Sequence, residues 1–108
     1  MSTRNYRLKF TPKAEEDFEE IYGYIINTLF AENAANRLID KIEKEIMRLT
    51  EFPFSCSYVL DDPLKARGYR KLIVENYLVF YLVDEAEAQA QVVIMRVLYG
   101  ASNYQNIL

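Results

Sequence analysis

Histidine is absent from this chain of 108 residues, and cysteine occurs once, at Cys56. Without histidine, the chain cannot form a Ser–His or Cys–His nucleophilic triad or a histidine metal site, and it lacks the commonest general base. A single cysteine forms neither an intramolecular disulfide nor a zinc site, which is compatible with a reducing cytoplasm. Only 3 glycines are present and they are not clustered, which excludes a P-loop and a dinucleotide fingerprint. We therefore expect no metal and no cofactor.

Long apolar runs are also missing from the sequence. No stretch approaches the length of a membrane span, and the N-terminal MSTRNYRLKF has no apolar signal-peptide core. We expect a soluble, cytoplasmic protein without a membrane partner. Length and composition (51% hydrophobic, 27% charged) indicate one globular domain, residues 1–108. The net charge of −3 argues against a general nucleic-acid binder, although Arg67, Arg70 and Lys71 form a local cationic group.

Three apolar runs dominate the C-terminal half: Tyr69–Val74, Tyr77–Val83 and Val92–Tyr99. They are rich in β-branched and aromatic residues and too short for buried helices, so they predict an antiparallel meander of three strands. The middle run is apolar at both parities, which predicts a central strand with a layer on each face. Arg96 interrupts the third run, on the parity of its Val, Ile and Leu residues. Because a buried cation is costly unless paired, we favour an ion pair with an acid of the first helix; presentation to a partner is the alternative.

The N-terminal half reads as one strand and two helices. Residues 5–10 alternate in polarity, Thr11-Pro12 is an N-cap signal, and two apolar stripes at helical spacing extend to about 29 and from about 35 to 51. These elements predict an α+β fold of order β-α-α-β-β-β, with an antiparallel helical hairpin packed on a four-stranded, mainly antiparallel sheet and sharing a single core with it. Residues 53–66 read as a loop, and residues 101–108 as a final helical turn.

Several segments, in this order, carry a more specific signal. They are the acid-led helix AEEDFEEIYGYI, the helix ending at Phe52-Pro53, the block GYRKLIVENYLVFYLVD and the closing VVIMRVLYG. Together they resemble the RelE/ParE superfamily, the toxin halves of bacterial type II toxin–antitoxin pairs. The resemblance covers nearly the whole chain. It implies one RelE/ParE-like toxin domain, a tightly bound cognate antitoxin, and inhibition of growth when the toxin is released.

The superfamily divides by target. Its ribosome-dependent mRNA endonucleases carry basic residues on the first meander strand, an Arg after the Tyr that opens the central strand, and an Arg just past the last strand. At the last two positions this chain has Leu78 and Ala101-Ser102. The resemblance therefore favours the ParE-type branch, which inhibits DNA gyrase by binding and contributes to plasmid stabilisation. Two alternatives stay open: an mRNA endonuclease with Arg70, Lys71 and Tyr104 as catalytic residues, or an attenuated toxin kept for antitoxin binding and autoregulation.

The resemblance also suggests a binding surface. We expect contacts with the target or the antitoxin from five residues: Arg67, Arg70, Arg96, Ser102 and Tyr104. The cations among them favour an acidic antitoxin tail, which would pair with the open edge of the outer strand, Tyr69–Val74, or lie beside the hairpin. The structural alternative is that Arg70 and Lys71 merely solvate this strand.

Overall fold

The computed structural model describes residues 5–86 and 89–100. Its elements are β1 (Arg7–Phe10), α1 (Pro12–Leu29), α2 (Glu32–Arg48), α3 (Asp62–Ala66), β2 (Arg70–Val74), β3 (Tyr77–Asp84) and β4 (Gln91–Tyr99). The predicted α+β order is confirmed, with the five-residue α3 as an addition inside the expected loop. Asp61 caps α3 by accepting a hydrogen bond from the Leu64 amide at 3.2 Å. The predicted final turn, with Ser102 and Tyr104, lies outside the described residues.

The strands form a single four-stranded sheet in the order β1-β4-β3-β2. β2–β3 and β3–β4 are antiparallel and β1 pairs parallel with β4, so the prediction of a mainly antiparallel sheet is confirmed. The outer strand is not fully open. Tyr58 bridges to Arg70, and the Lys71 amide donates to the Ser57 carbonyl at 3.2 Å, so the incoming chain covers the first half of this edge.

The helical hairpin covers one face of the sheet. α1 begins as predicted, with Thr11 accepting from the Ala14 amide at 3.1 Å and Pro12 in the first turn. Its C-cap, Phe30, adopts a left-handed conformation with φ 51°. The apolar cluster under the hairpin, hereafter the first cluster, combines α1 and α2 residues with one face of the strands: Ala14, Ile42, Ile46, Leu49, Leu72, Val74, Val79, Tyr81, Val92, Ile94 and Val97.

The other face of the sheet has a separate apolar cluster, hereafter the second cluster. It comprises Val59, Leu64, Tyr69, Phe80 and Leu98, so the segment that carries α3 is its lid. The first cluster confirms that the hairpin and the sheet share a core. The expectation that this core is the only one was wrong, because neighbours along β3 point to opposite faces and each face has its own cover. The prediction of a central strand buried on both faces is confirmed by the consecutive buried residues 79–81 of β3.

A β-bulge in β4 changes the parity of its side chains. Phe80 faces Arg96 whereas Tyr81 faces Ile94, which leaves Met95 as the extra residue. Val92 and Ile94 consequently lie in the first cluster and Leu98 in the second. The expectation that Leu98 shares a parity with Val92 and Ile94 was thus wrong, because the bulge at Met95 lies between them. Arg96 directly follows the extra residue of the bulge and is paired with Phe80.

Candidate functional site

Arg70 lies at the start of β2, against the chain that leads into α3. Its Nη1 donates to the Cys56 carbonyl at 2.6 Å, and its guanidinium carbon lies 4.1 Å from the ring centre of Tyr58 and 5.1 Å from that of Phe54. Both rings are about half exposed (44% and 52%). Arg70 forms no ion pair within residues 5–86 and 89–100. The arrangement is a cation held in place by cation–π contacts and one carbonyl, which suits recognition of an oxyanion.

The other two predicted cations of this region do not converge on Arg70. Arg67 lies 5.0 Å from the ring centre of Tyr69 and its Nη2 donates to the Tyr69 hydroxyl at 3.4 Å. Tyr69 belongs to the second cluster. On β2, Lys71 is paired with Phe80 of the second cluster, whereas Arg70 is paired with Tyr81 of the first. Since paired residues share a face, the side chains of Arg70 and Lys71 leave β2 on opposite faces of the sheet.

Arg96 forms the ion pair that the sequence predicts. Its Nε and Nη2 donate to Asp17 Oδ2 and Oδ1 at 2.7 and 2.8 Å, and the Val97 amide donates to Oδ2 at 2.9 Å. The side chains of Asp17 and Arg96 are 5% and 18% exposed. Hydrogen bonding to Asp17 raises the pKa of Arg96, although burial acts in the opposite direction. A contact of Arg96 with a target or antitoxin stays a prediction.

Sequence reasoning missed the groove beside this ion pair, hereafter the tyrosine groove. It has a volume of about 700 Å³ and is lined by α1, β3 and β4, with Tyr24, Tyr77, Tyr99 and Arg96 among its residues. The Tyr77 and Tyr99 rings meet edge to face with centroids 5.7 Å apart. Burial, with the nearby Tyr99 and Tyr24 phenols, raises the pKa of Tyr77. The sequence could not predict that Tyr77 and Tyr99 line a groove, because a groove between α1 and two strands has no local signature.

Leu78 is the residue that the resemblance aligns with an arginine of the superfamily's nucleases. It is paired with Ile73 on β2 and with Leu98 on β4, and it packs on the second cluster. Ile73 is 62% exposed, whereas Leu98 is 9% exposed. This cross-strand row of three aliphatic side chains provides no hydrogen-bond donor for a phosphate.

Two further properties concern the part of the chain that the structure describes. Within residues 5–86 and 89–100, no group of three or more acidic or cysteine side chains is placed to hold a metal ion. The helices of this part are too short or too polar to cross a lipid bilayer. The side chain of Cys56 is a free, half-buried thiol, and its backbone carbonyl accepts the hydrogen bond from Arg70.

Comparison with known proteins agrees with this architecture. The family model described as ParE toxin of type II toxin-antitoxin system, parDE, matches residues 8–104. A chromosomal ParDE toxin–antitoxin system from P. aeruginosa has a TM-score of 0.70 at 20% identity, over 89% of this chain and 97% of that chain. The RelBE2 toxin–antitoxin complex from Mycobacterium tuberculosis has a TM-score of 0.58 at 19% identity, over 88% of this chain and 98% of that chain. The YoeB/ParE toxin from Agrobacterium tumefaciens has a TM-score of 0.59 at 17% identity, over 86% of this chain and 97% of that chain.

At these identities the solved structures establish the fold, and the family match carries the classification. Comparison with curated protein sequences gives no match. A four-stranded sheet with a helical hairpin on one face is the architecture of the RelE/ParE superfamily. Within it, the chain belongs to the ParE toxin family of type II toxin–antitoxin systems.

Proposed function

We propose that this ParE-family toxin acts in the cytoplasm by binding DNA gyrase and that a cognate antitoxin neutralises it. The observation that supports gyrase over RNA cleavage is the aliphatic row of Ile73, Leu78 and Leu98. By the resemblance, the middle residue of this row, Leu78, replaces an arginine of the superfamily's nucleases, and it packs on the second cluster. Ile73 is the exposed member of the row (62%), and an exposed aliphatic side chain suits contact with another protein better than contact with a phosphate.

The arrangement of cations supports the same choice. Attack by an RNA 2′-hydroxyl needs charge stabilisation at the phosphate together with a positioned acid and base. The catalytic residues that the nuclease alternative needs are Arg70, Lys71 and Tyr104. Arg70 is held against Cys56, Phe54 and Tyr58, and Lys71 starts from the opposite face of β2, so these two cations do not form one cluster. Tyr104 lies outside the described residues.

The antitoxin surface that we propose is centred on Arg70. A guanidinium fixed between two aromatic rings loses little entropy when it binds a carboxylate in a bidentate manner. Arg67 adds positive charge nearby in sequence. Beyond the segment covered by Ser57 and Tyr58, β2 is an edge strand with no strand paired to its outer side among the described residues, so a partner strand could pair there. We therefore expect an acidic antitoxin segment here, with Arg96, Ser102 and Tyr104 as further candidate contacts.

The test of the target uses two purified systems in parallel. The chain is added to DNA gyrase with supercoiled plasmid, and separately to a translation extract in which mRNA ends are mapped. We expect gyrase-dependent DNA cleavage and no ribosome-dependent cuts in mRNA. Ribosome-dependent cuts that disappear in Arg70→Ala or Tyr104→Phe would overturn the proposal in favour of the nuclease.

Growth experiments complete the test. Induction of the wild-type chain should arrest growth with a DNA-damage response, and a plasmid carrying both genes should be retained without selection. A chain that binds the antitoxin encoded beside it but has neither activity would be an attenuated toxin, and the gyrase proposal would be wrong.

A further inference from the structure

The tip of the helical hairpin, residues 26–34, is a surface to which the proposed function assigns no role. Neither apolar cluster contains a described residue between Ile21 and Leu38, so the tip extends past the core that holds the hairpin on the sheet. No residue from 26 to 34 is buried. At the turn between the helices, Leu29 is 55% exposed and Phe30 is 88% exposed.

The backbone at Phe30 has a conformation that phenylalanine rarely adopts. Its φ of 51° and ψ of 41° are left-handed, and the Ala31 amide donates to the Ile25 carbonyl at 3.2 Å, the six-to-one bond of a Schellman motif. Glycine usually occupies this position, because a β-carbon there is strained against the backbone. A glycine would relieve that strain and would also remove exposed apolar surface. Stability of the fold therefore does not account for Phe30, and strain that the fold does not need is a mark of functional positions.

The sequence around the tip is almost without charge. Residues 21–36 contain a single charged side chain, that of Glu32, whereas 27% of the whole chain is charged. Depletion of charge around exposed aromatic and aliphatic side chains is the composition of the centre of a protein–protein interface. Residues 21–36 contain no Lys or Arg with which to pair a nucleic-acid phosphate or an acidic peptide. The composition thus favours an uncharged surface of a protein as the partner.

We propose that the hairpin tip is the surface with which this toxin binds the gyrase protein, and that Phe30 is the anchor that enters an apolar pocket of the enzyme. This inference rests on the proposed function, because it names the contact surface for the target of that function. An exposed aromatic side chain that fills a pocket on its partner is the usual form of an interface hot spot.

The shape of the tip supports a folded partner over the antitoxin. A projecting side chain needs a concave surface that already exists on the partner, as a folded enzyme offers, whereas a segment that folds on binding occupies grooves and strand edges. The antitoxin surface proposed above, at Arg70, lies beside Phe54 and Tyr58, which follow the C-terminal end of α2. The tip lies at the other end of α2, a helix of 17 residues that spans about 25 Å.

Affinity for purified gyrase tests the anchor. In Phe30→Asn, the new side chain tolerates the left-handed backbone but lacks the ring. Leu60→Asn is the matched control, because Leu60 is 87% exposed and lies outside the hairpin, just before α3. We expect Phe30→Asn to weaken binding to gyrase about tenfold or more, by the same factor at low and at high salt because the contact is uncharged. Leu60→Asn should bind like the wild type.

Two further measurements separate a binding role from a structural one. The Tm of Phe30→Gly should match that of the wild type or exceed it by up to about 5 °C, because the strain is relieved. Phe30→Asn should copurify with the product of the adjacent gene as the wild type does. A Tm several degrees below that of the wild type would mean that Phe30 serves the fold, and loss of copurification would mean that the antitoxin covers the tip; either result would overturn the proposal.

Photo-cross-linking identifies what the tip contacts. p-Benzoylphenylalanine, which extends the ring of phenylalanine, replaces Phe30 in one sample and Leu60 in the control, and each chain is irradiated with purified gyrase. We expect the probe at position 30 to mark a peptide of a gyrase subunit and the probe at position 60 to mark none. A cross-link from position 30 to a second copy of this chain, or to nothing, would contradict the assignment.

The two proposals fail in different ways. If the wild-type chain neither binds gyrase nor promotes DNA cleavage by it, the proposed function is wrong and the role of the tip is wrong with it. If the wild type binds gyrase and Phe30→Asn binds it equally well, the gyrase assignment stands and only the role of the tip is wrong.

Discussion

The contact between Asp17 and β4 gives the sharpest prediction about stability. The Asp17 carboxylate accepts three hydrogen bonds, two from Arg96 and one from the Val97 amide, and it is 5% exposed. In Asp17→Asn, the side-chain NH2 group replaces one of the two carboxylate oxygens and cannot accept a hydrogen bond. At least one buried donor of Arg96 or Val97 therefore loses its acceptor. Removing one partner of a buried ion pair costs about 3–5 kcal/mol. Because the Arg96 side chain retains 18% exposure and can gain some hydration, we expect about 2–4 kcal/mol.

Urea denaturation followed by circular dichroism measures this change. For a domain of this length, a loss of about 3 kcal/mol corresponds to a fall in Tm of roughly 10–20 °C. Glu19→Gln, at an exposed acid of the same helix, is the matched control and should change stability by less than about 0.5 kcal/mol. The double variant Asp17→Asn with Arg96→Met should be less destabilised than the sum of the single variants by about 1–3 kcal/mol.

The sign of the pH dependence also follows from the structure. The pKa of Arg96 is raised in the folded state, so its contribution is fully present below its unfolded pKa and is lost only as pH rises through the raised value. The double-mutant coupling should therefore be the same at neutral pH and at about pH 10. If Asp17→Asn costs no more than Glu19→Gln, the bulge of β4 is held by packing alone and the reasoning fails.

Two further predictions concern the separate clusters and a buried phenol. Ile42→Ala and Phe80→Ala should each lower the free energy of unfolding, measured by urea denaturation, by about 2–5 kcal/mol. The two losses should add within about 0.5 kcal/mol, because the residues lie in different clusters. A coupling above about 1 kcal/mol would mean one shared core. Burial, and then hydrogen bonding with Cys56, raises the pKa of Tyr81, so the unfolded chain loses this proton first and stability should fall as pH rises above about 10. Tyr81→Phe removes the 2.9 Å hydrogen bond from the Tyr81 hydroxyl to the Pro53 carbonyl, which should lower stability by about 0.5–1.5 kcal/mol at neutral pH. The same variant should lose less stability above about pH 10 than the wild type. An unchanged loss of stability at alkaline pH would contradict the assignment to Tyr81.

The features that could be predicted from the sequence are those with a local signature. Alternation and helical periodicity identify the strands and helices, and Thr11-Pro12 marks the start of α1. The β3 run, apolar at both parities, predicts the two-sided burial. Arg96 is a cation among apolar residues, which led to the ion pair even though the parity argument around it was wrong.

The features that could not be predicted depend on tertiary placement. A bulge shifts the register by one residue, and nothing in the third apolar run distinguishes Met95 as the extra one. The Asp61-Asp62-Pro63 turn signal was present, yet its use as the lid of a second cluster depends on where the chain passes over β3. The aromatic surroundings of Arg70 come from Phe54 and Tyr58, which lie in an irregular segment without periodicity.

The distribution of charge changes what the net charge implies. A net charge of −3 describes a mildly acidic protein, but Arg70, held against Phe54 and Tyr58, has no carboxylate partner within residues 5–86 and 89–100. At physiological salt, charges further apart than about 8 Å are largely screened, so a partner that contacts Arg70 responds to the charges close to it rather than to the net charge of the protein.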